Sequence, residues 1–170
     1  LAVMKVVYCY LTADTDGSKI HIESFMTAFV ALGETMIDAG IITTAFSDNK
    51  ALWPLWKKIW ANLLWLRLNL VFLANAWRKA YQAGAEVIVV RFVTNHQLIL
   101  PIFVLSFFYP IILEVNAVRA IDDPDNSGQL IHWLDRFTFW RVKHSFVVSN
   151  LMKEFMLRRF SLKPERVAVI

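Results

Sequence analysis

Between residues 2 and 33 the hydrophobic pattern changes period. Residues 2–11 are apolar except for Lys5, and Val3, Val6, Val7 and Tyr8 supply β-branched and aromatic bulk, which predicts a parallel strand buried on both faces. Residues 12–19 are mostly polar and predict a loop holding Asp14, Asp16, Gly17, Ser18 and Lys19. After it, Ile22, Phe25, Met26, Phe29 and Val30 recur at helical spacing up to Gly33, a plausible C′ glycine. Strand, glycine turn and helix form the first unit.

The same alternation continues down the chain. Residues 34–46 predict a turn and a second strand, closed by Ser47, Asp48 and Asn49, and residues 86–93 predict a clear strand with Thr94, Asn95 and His96 in its exit loop. Residues 98–113 carry no charge, but they fall short of the roughly 20 apolar residues a spanning helix needs, and Pro101 and Pro110 interrupt them. A helix leading into a strand over residues 109–117 fits better. Residues 122–128 predict a loop, residues 129–142 an aromatic helix, and residues 145–148 a strand. Ser149 predicts an N-cap for a helix over residues 151–160, and residues 161–164 turn the chain into a last strand over 165–170. Strands alternating with helices predict one Rossmann-like α/β domain over residues 1–170, a three-layer αβα sandwich with a mainly parallel sheet.

Residues 51–83 stand apart. They hold Trp53, Trp56, Trp60, Trp65 and Trp77 with Lys57, Lys58, Arg67, Arg78 and Lys79, and no acid lies between Asn49 and Gly84. Trp53, Trp56 and Trp60 share one helical face, with Pro54 tolerable in the first turn. Tryptophan beside lysine suits the interface of an anionic bilayer, which makes Trp53, Trp56, Lys57, Lys58 and Trp60 membrane-contact candidates. The narrow polar face favours burial in the core over that contact, with an interdomain contact as a third reading.

Composition narrows the choices. The 170 residues suffice for one domain with a real core, and the 57% hydrophobic content lies above the soluble average of about 45–50%. A net charge of +4 without a basic block argues against a nucleic-acid partner. Cys9 has no second cysteine to pair with, so a reducing, cytoplasmic compartment is expected and Cys9 reads as a small buried hydrophobe. Lys5 and the charged loop are unlike a signal peptide, and a start at Leu1 is that expected of a trimmed fragment.

The chemistry concentrates at strand exits. A glycine turn before a helix exposes unpaired N–H groups to an anion, although Gly17 alone is no dinucleotide fingerprint and an ordinary βα turn gives the same pattern. Glu114 and Asn116, two apart, point to one face at the carboxyl end of their strand, where open α/β sheets bind ligands; the bland alternative is bonding to neighbouring backbone. His96 is the histidine best placed for a polar role, His21 can face the same cleft, and His132 and His144 read as surface or packing residues. No metal cluster is visible in the spacing, so no metal or cofactor is expected.

Residues 4–8, the loop at Gly17, and residues 21–33, 112–117, 147–153 and 163–170 together resemble the amino-terminal domain of a family 4 glycosyltransferase with the GT-B fold. The matches follow the family's order over nearly the whole chain. The resemblance implies a domain that mainly holds the acceptor, a glycan or lipid-linked hydroxyl of the cell-envelope polysaccharide type, facing a second domain that mainly holds a nucleotide-diphosphate sugar. It places Gly17, Ser18 and Lys19 beside the donor diphosphate, His96, Glu114 and Asn116 at the catalytic side, and His21, Arg91 and Asn95 on the acceptor side. The chain departs from the family in having Ser18 where a second glycine is common, Asn116 where many members have histidine, and no Pro-Asn-Gly hinge or donor domain after Ile170. Such a half is expected to be inactive or nearly so by itself. The competing expectation is a non-catalytic Rossmann-like module that binds a membrane surface or a partner protein; a P-loop switch is excluded by the lack of its glycine-lysine motif.

Overall fold

A computed structural model describes residues 4–13, 16–43, 54–93, 98–117 and 129–170. Eight strands and five α-helices alternate: β1 Lys5–Cys9, β2 Leu11–Ala13, α1 Asp16–Ala31, β3 Thr35–Asp38, β4 Ile41–Thr43, α2 Leu55–Ala83, β5 Val87–Val93, α3 Ile99–Leu105, β6 Ile111–Ala117, α4 Gln129–Arg141, β7 His144–Val147, α5 Asn150–Phe160 and β8 Val167–Val169. Six strands form one sheet in the order β3-β1-β5-β6-β7-β8, and every pairing in it is parallel. The expected Rossmann-like three-layer sandwich is what the chain adopts.

Alternation along the strands assigns the two layers. Val7, Cys9, Ile88, Val90, Ile111, Leu113, Val115, Val147 and Val167 form the main core with Phe72, Ala76 and Ala80 of α2, Ile102 and Leu105 of α3, Phe139 of α4, and Met156 and Phe160 of α5. On the opposite face Val6, Tyr8, Tyr10 and Val89 meet Ile22, Phe25, Met26 and Phe29 of α1. One described helix covers this second face, and four cover the first.

Local details follow from sequence. Gly33 closes α1 at φ +83°, a backbone that L side chains rarely adopt, as its C′ position leads one to expect. The Ser149 hydroxyl accepts the Met152 N–H at 3.2 Å and caps α5. Pro54 is the N-cap of α2 rather than part of its first turn. Residues 98–113 do divide into a helix and the start of a strand.

Four expectations need correcting. Helix α1 begins at Asp16, so Gly17 and Ser18 belong to its first turn and not to a loop before it. Val30, expected on the buried face of α1, is 58% exposed, because the helix contacts the sheet through a narrow stripe. The second strand is two strands. β3 pairs with β1 and β4 with β2, and Ile41 N–H to the Tyr10 carbonyl, 2.8 Å, carries the parallel ladder across the break. At that break the Tyr10 ring lies against Gly40 where any Cβ would collide with it, so the chain has room there only for glycine. Residues 44–46 of the expected strand, Trp53, and the loop at residues 122–128 lie outside the described residues.

The fourth correction concerns α2. Core burial was the favoured expectation for residues 51–83, yet among the described residues only Asn69, Phe72, Ala76 and Ala80 are fully buried, while Leu55, Trp56, Ile59, Trp60, Leu63, Leu64 and Leu66 are exposed. The helix is 29 residues long, about 43 Å at 1.5 Å per residue, and the seven-residue strands beside it span about 23 Å. The sheet is too short to cover it.

Candidate functional site

The polar residues of the sheet gather at one place because their strands are adjacent and their positions share parity. β1 lies between β3 and β5, so the direction of strand addition reverses beside it, and an open parallel sheet has its crevice at such a point, beyond the strand carboxyl ends. Tyr8 on β1, Arg91 on β5, and Glu114 and Asn116 on β6 all fall on the face covered by α1, with Arg91 directly opposite Glu114 in register. The second turn of α1 brings His21 down onto them.

Glu114 is the hub. Only 1% exposed, it accepts hydrogen bonds from the Tyr8 hydroxyl, from His21 Nε2 at 2.6 Å and from Asn116 Nδ2 at 2.9 Å. A buried carboxylate is tolerable only when so many donors satisfy it. The bland expectation, that Glu114 and Asn116 bond to neighbouring backbone, is therefore corrected: they bond each other and two side chains distant in sequence.

An ionised Glu114 can only accept, so Nε2 of a neutral His21 carries the proton and Nδ1 keeps its lone pair. The His21 side chain is 39% exposed, in contrast to the buried carboxylate behind it. A carboxylate orienting an accessible imidazole is the arrangement that prepares a base or hydrogen-bond acceptor for a substrate hydroxyl. Glu114 is buried behind the accessible His21. Asn116 holds the carboxylate from the side.

Arg91 completes the cluster. Its Nη1 is buried and has no hydrogen-bond partner among the described residues, an unsatisfied donor beside the Glu114 cluster. Burial drives the Tyr8 hydroxyl pKa far above the ordinary tyrosine value, the neighbouring Glu114 adds to the rise, and Arg91 opposes it. Tyr8 thus stays a neutral donor. Just beyond β1, Tyr10 donates to Asp38 Oδ2 at 3.1 Å and its pKa is pushed up to about 12, by burial first and by Asp38 second. Cys9 is fully buried on the opposite face and its thiol pKa is raised, mainly by burial, so it is the inert hydrophobe its sequence position implies.

The sequence-derived candidates divide accordingly. His21, Arg91, Glu114 and Asn116 are brought together. Gly17 and Ser18 lie in the first turn of α1, just above His21, and Lys19 follows as an exposed residue. The first backbone N–H groups of a helix are unpaired within it and lie at the positive end of its dipole. Asn95 and His96 lie outside the described residues. Trp56, Lys57, Lys58 and Trp60 belong to α2, with Trp56 and Trp60 at 60% and 67% exposure. Tyr8 escaped notice because, in sequence, it looks like one more bulky strand residue. Among the described residues no group of three or more His, Cys, Asp or Glu side chains is placed to hold a metal ion.

No protein-family model matches this chain, and no curated protein sequence matches it.

Proposed function

We propose that this chain is the acceptor-side domain of a glycosyltransferase of family 4 type, which moves a sugar from a nucleotide diphosphate to an acceptor hydroxyl. One observation carries the reading: His21, accessible and oriented by the buried Glu114, sits at the switch point of a parallel sheet below a helix N-terminus. Transfer of a sugar needs a place for the acceptor hydroxyl, an acceptor or base for its proton, and stabilisation of the departing diphosphate. Nδ1 of His21 meets the hydroxyl, the buried Arg91 adds positive charge behind the cluster, and the first turn of α1 faces the diphosphate. The sugar donor is held mainly by a second domain in this reading, and the acceptor is a glycan or a lipid-linked hydroxyl.

The test is turnover by the full-length protein, this domain together with the donor-holding domain that the reading requires. Incubation with UDP-glucose, UDP-galactose, UDP-N-acetylglucosamine and GDP-mannose, each with a cell-envelope extract as acceptor source, should release nucleoside diphosphate from one donor and label the extract. Failure of every donor to be consumed or to bind in calorimetry would overturn the reading.

A further inference from the structure

Helix α2 is apolar on two opposite sides. Its inner stripe, Asn69, Phe72, Ala76 and Ala80, is fully buried on the sheet. At 100° per residue the side facing away from that stripe carries Trp56, Trp60, Leu63 and Val71 with Arg67 and Arg78 among them, and Ile59 and Leu70 lie on its flank; the six apolar residues are each about half exposed or more. A helix at the surface of a domain ordinarily sets polar residues there. The buried stripe ends near Asn69, so residues 55–68 rise roughly 20 Å past the carboxyl edge of the sheet.

Charge selects what covers this surface. Lys57, Lys58, Arg67, Arg78 and Lys79 are all on α2, and no Asp or Glu occurs between Asp48 and Glu86. Lys57 Nζ lies 5.8 Å from the centre of the Trp56 ring, so an ammonium and an indole are presented side by side. A second copy of the chain would bring the same cations face to face. Lipid headgroup phosphates complement them, while the indoles and leucines enter the acyl boundary. By length and composition α2 could cross a bilayer, but its C-terminal half is packed on the sheet, and the projecting half, about 21 Å, is shorter than a hydrocarbon core of about 30 Å.

We infer that the projecting half of α2 docks in the plane of an anionic membrane surface, through Trp56, Ile59, Trp60 and Leu63 with Lys57 and Arg67 paired to lipid phosphate. The inference stands on α2 alone and does not depend on sugar transfer. Since the N-terminal half of α2 lies at the edge where His21 and Glu114 lie, docking keeps that edge near the membrane surface.

Flotation of the intact protein with phosphatidylcholine vesicles, with and without phosphatidylglycerol, tests it. Binding should require the anionic lipid and weaken as salt rises. The double variant Trp56→Ser/Trp60→Ser should bind at least about tenfold more weakly, and Lys57→Gln about fivefold more weakly. Val30→Ser, equally exposed but on the opposite layer, should bind as wild type, and all variants should keep the wild-type melting temperature because the residues are exposed. Quenching of tryptophan fluorescence by brominated acyl chains should disappear in the double variant. Equal binding to neutral vesicles, wild-type binding by the double variant, or no binding together with a dimer that this variant disperses would each overturn the inference.

Discussion

At the carboxyl edge of the sheet, the same strands show two chemistries on their two faces. Toward α2 and α3 they present Val7, Cys9, Val90, Leu113 and Val115, all fully buried and apolar. Toward α1, one residue away in each strand, they present Tyr8, Arg91, Glu114 and Asn116, with Tyr8 and Asn116 bonded to the Glu114 carboxylate and Arg91 opposite it in register. Strand parity alone produces this sorting. The face covered by four helices supplies cohesion, and the face covered by α1 holds the polar cluster, with His21 partly exposed beside it.

Substitutions should separate the two faces. The largest effect on stability belongs to the apolar side: Phe72→Ala should cost about 3–5 kcal/mol by leaving a cavity between α2 and the sheet, read from the urea midpoint at constant slope. Glu114→Gln keeps the shape but replaces a charged acceptor shared by three donors, and should cost about 1–3 kcal/mol in the same measurement. A Glu114→Gln cost equal to that of Phe72→Ala would mean that the polar cluster is itself a main source of cohesion, and the division of labour would fail.

A smaller effect appears only at high pH. The Tyr10 pKa is about 12 in the folded chain and about 10 when unfolded. Between these values the unfolded chain releases a proton that the folded chain retains, so stability is intact below pH 10 and falls as pH rises toward 12. Tyr10→Phe removes this contribution and should make the decline shallower, with Tyr8 responsible for part of what remains. An unchanged slope would show that the Tyr10 hydroxyl is not held by burial and Asp38.

The sequence made the scaffold legible wherever one periodicity ran unopposed. β5 and β6 are dense in β-branched residues, Pro101 lies in the first turn of a short helix and Pro110 just before its strand, and Ser149 marks a cap, and each of these appears in the fold. The break between β3 and β4 was hidden, because it arises where the ring of Tyr10 covers Gly40 across 30 residues. The exposure of α2 was hidden for a related reason: helical periodicity tells which residues share a face, while the length of the sheet decides how much of the face is covered. Glu114 and Asn116 were legible as polar residues at the exit of an apolar strand. Their partner His21 was placed on the right side of the crevice, but its bond to Glu114 spans 93 residues and needs the tertiary fold.

The central claim is that Glu114 positions His21 for chemistry on the α1 face. Its most direct test is the turnover of the consumed nucleotide sugar by wild-type protein, His21→Ala and Glu114→Gln, with unfolding midpoints measured alongside. The account predicts that His21→Ala loses about 10²–10⁴-fold in turnover while its stability changes by less than about 1 kcal/mol, since the ring is partly exposed. Glu114→Gln should lose turnover as well, by releasing the ring. Wild-type turnover in His21→Ala would contradict the account and move the chemistry away from this cluster.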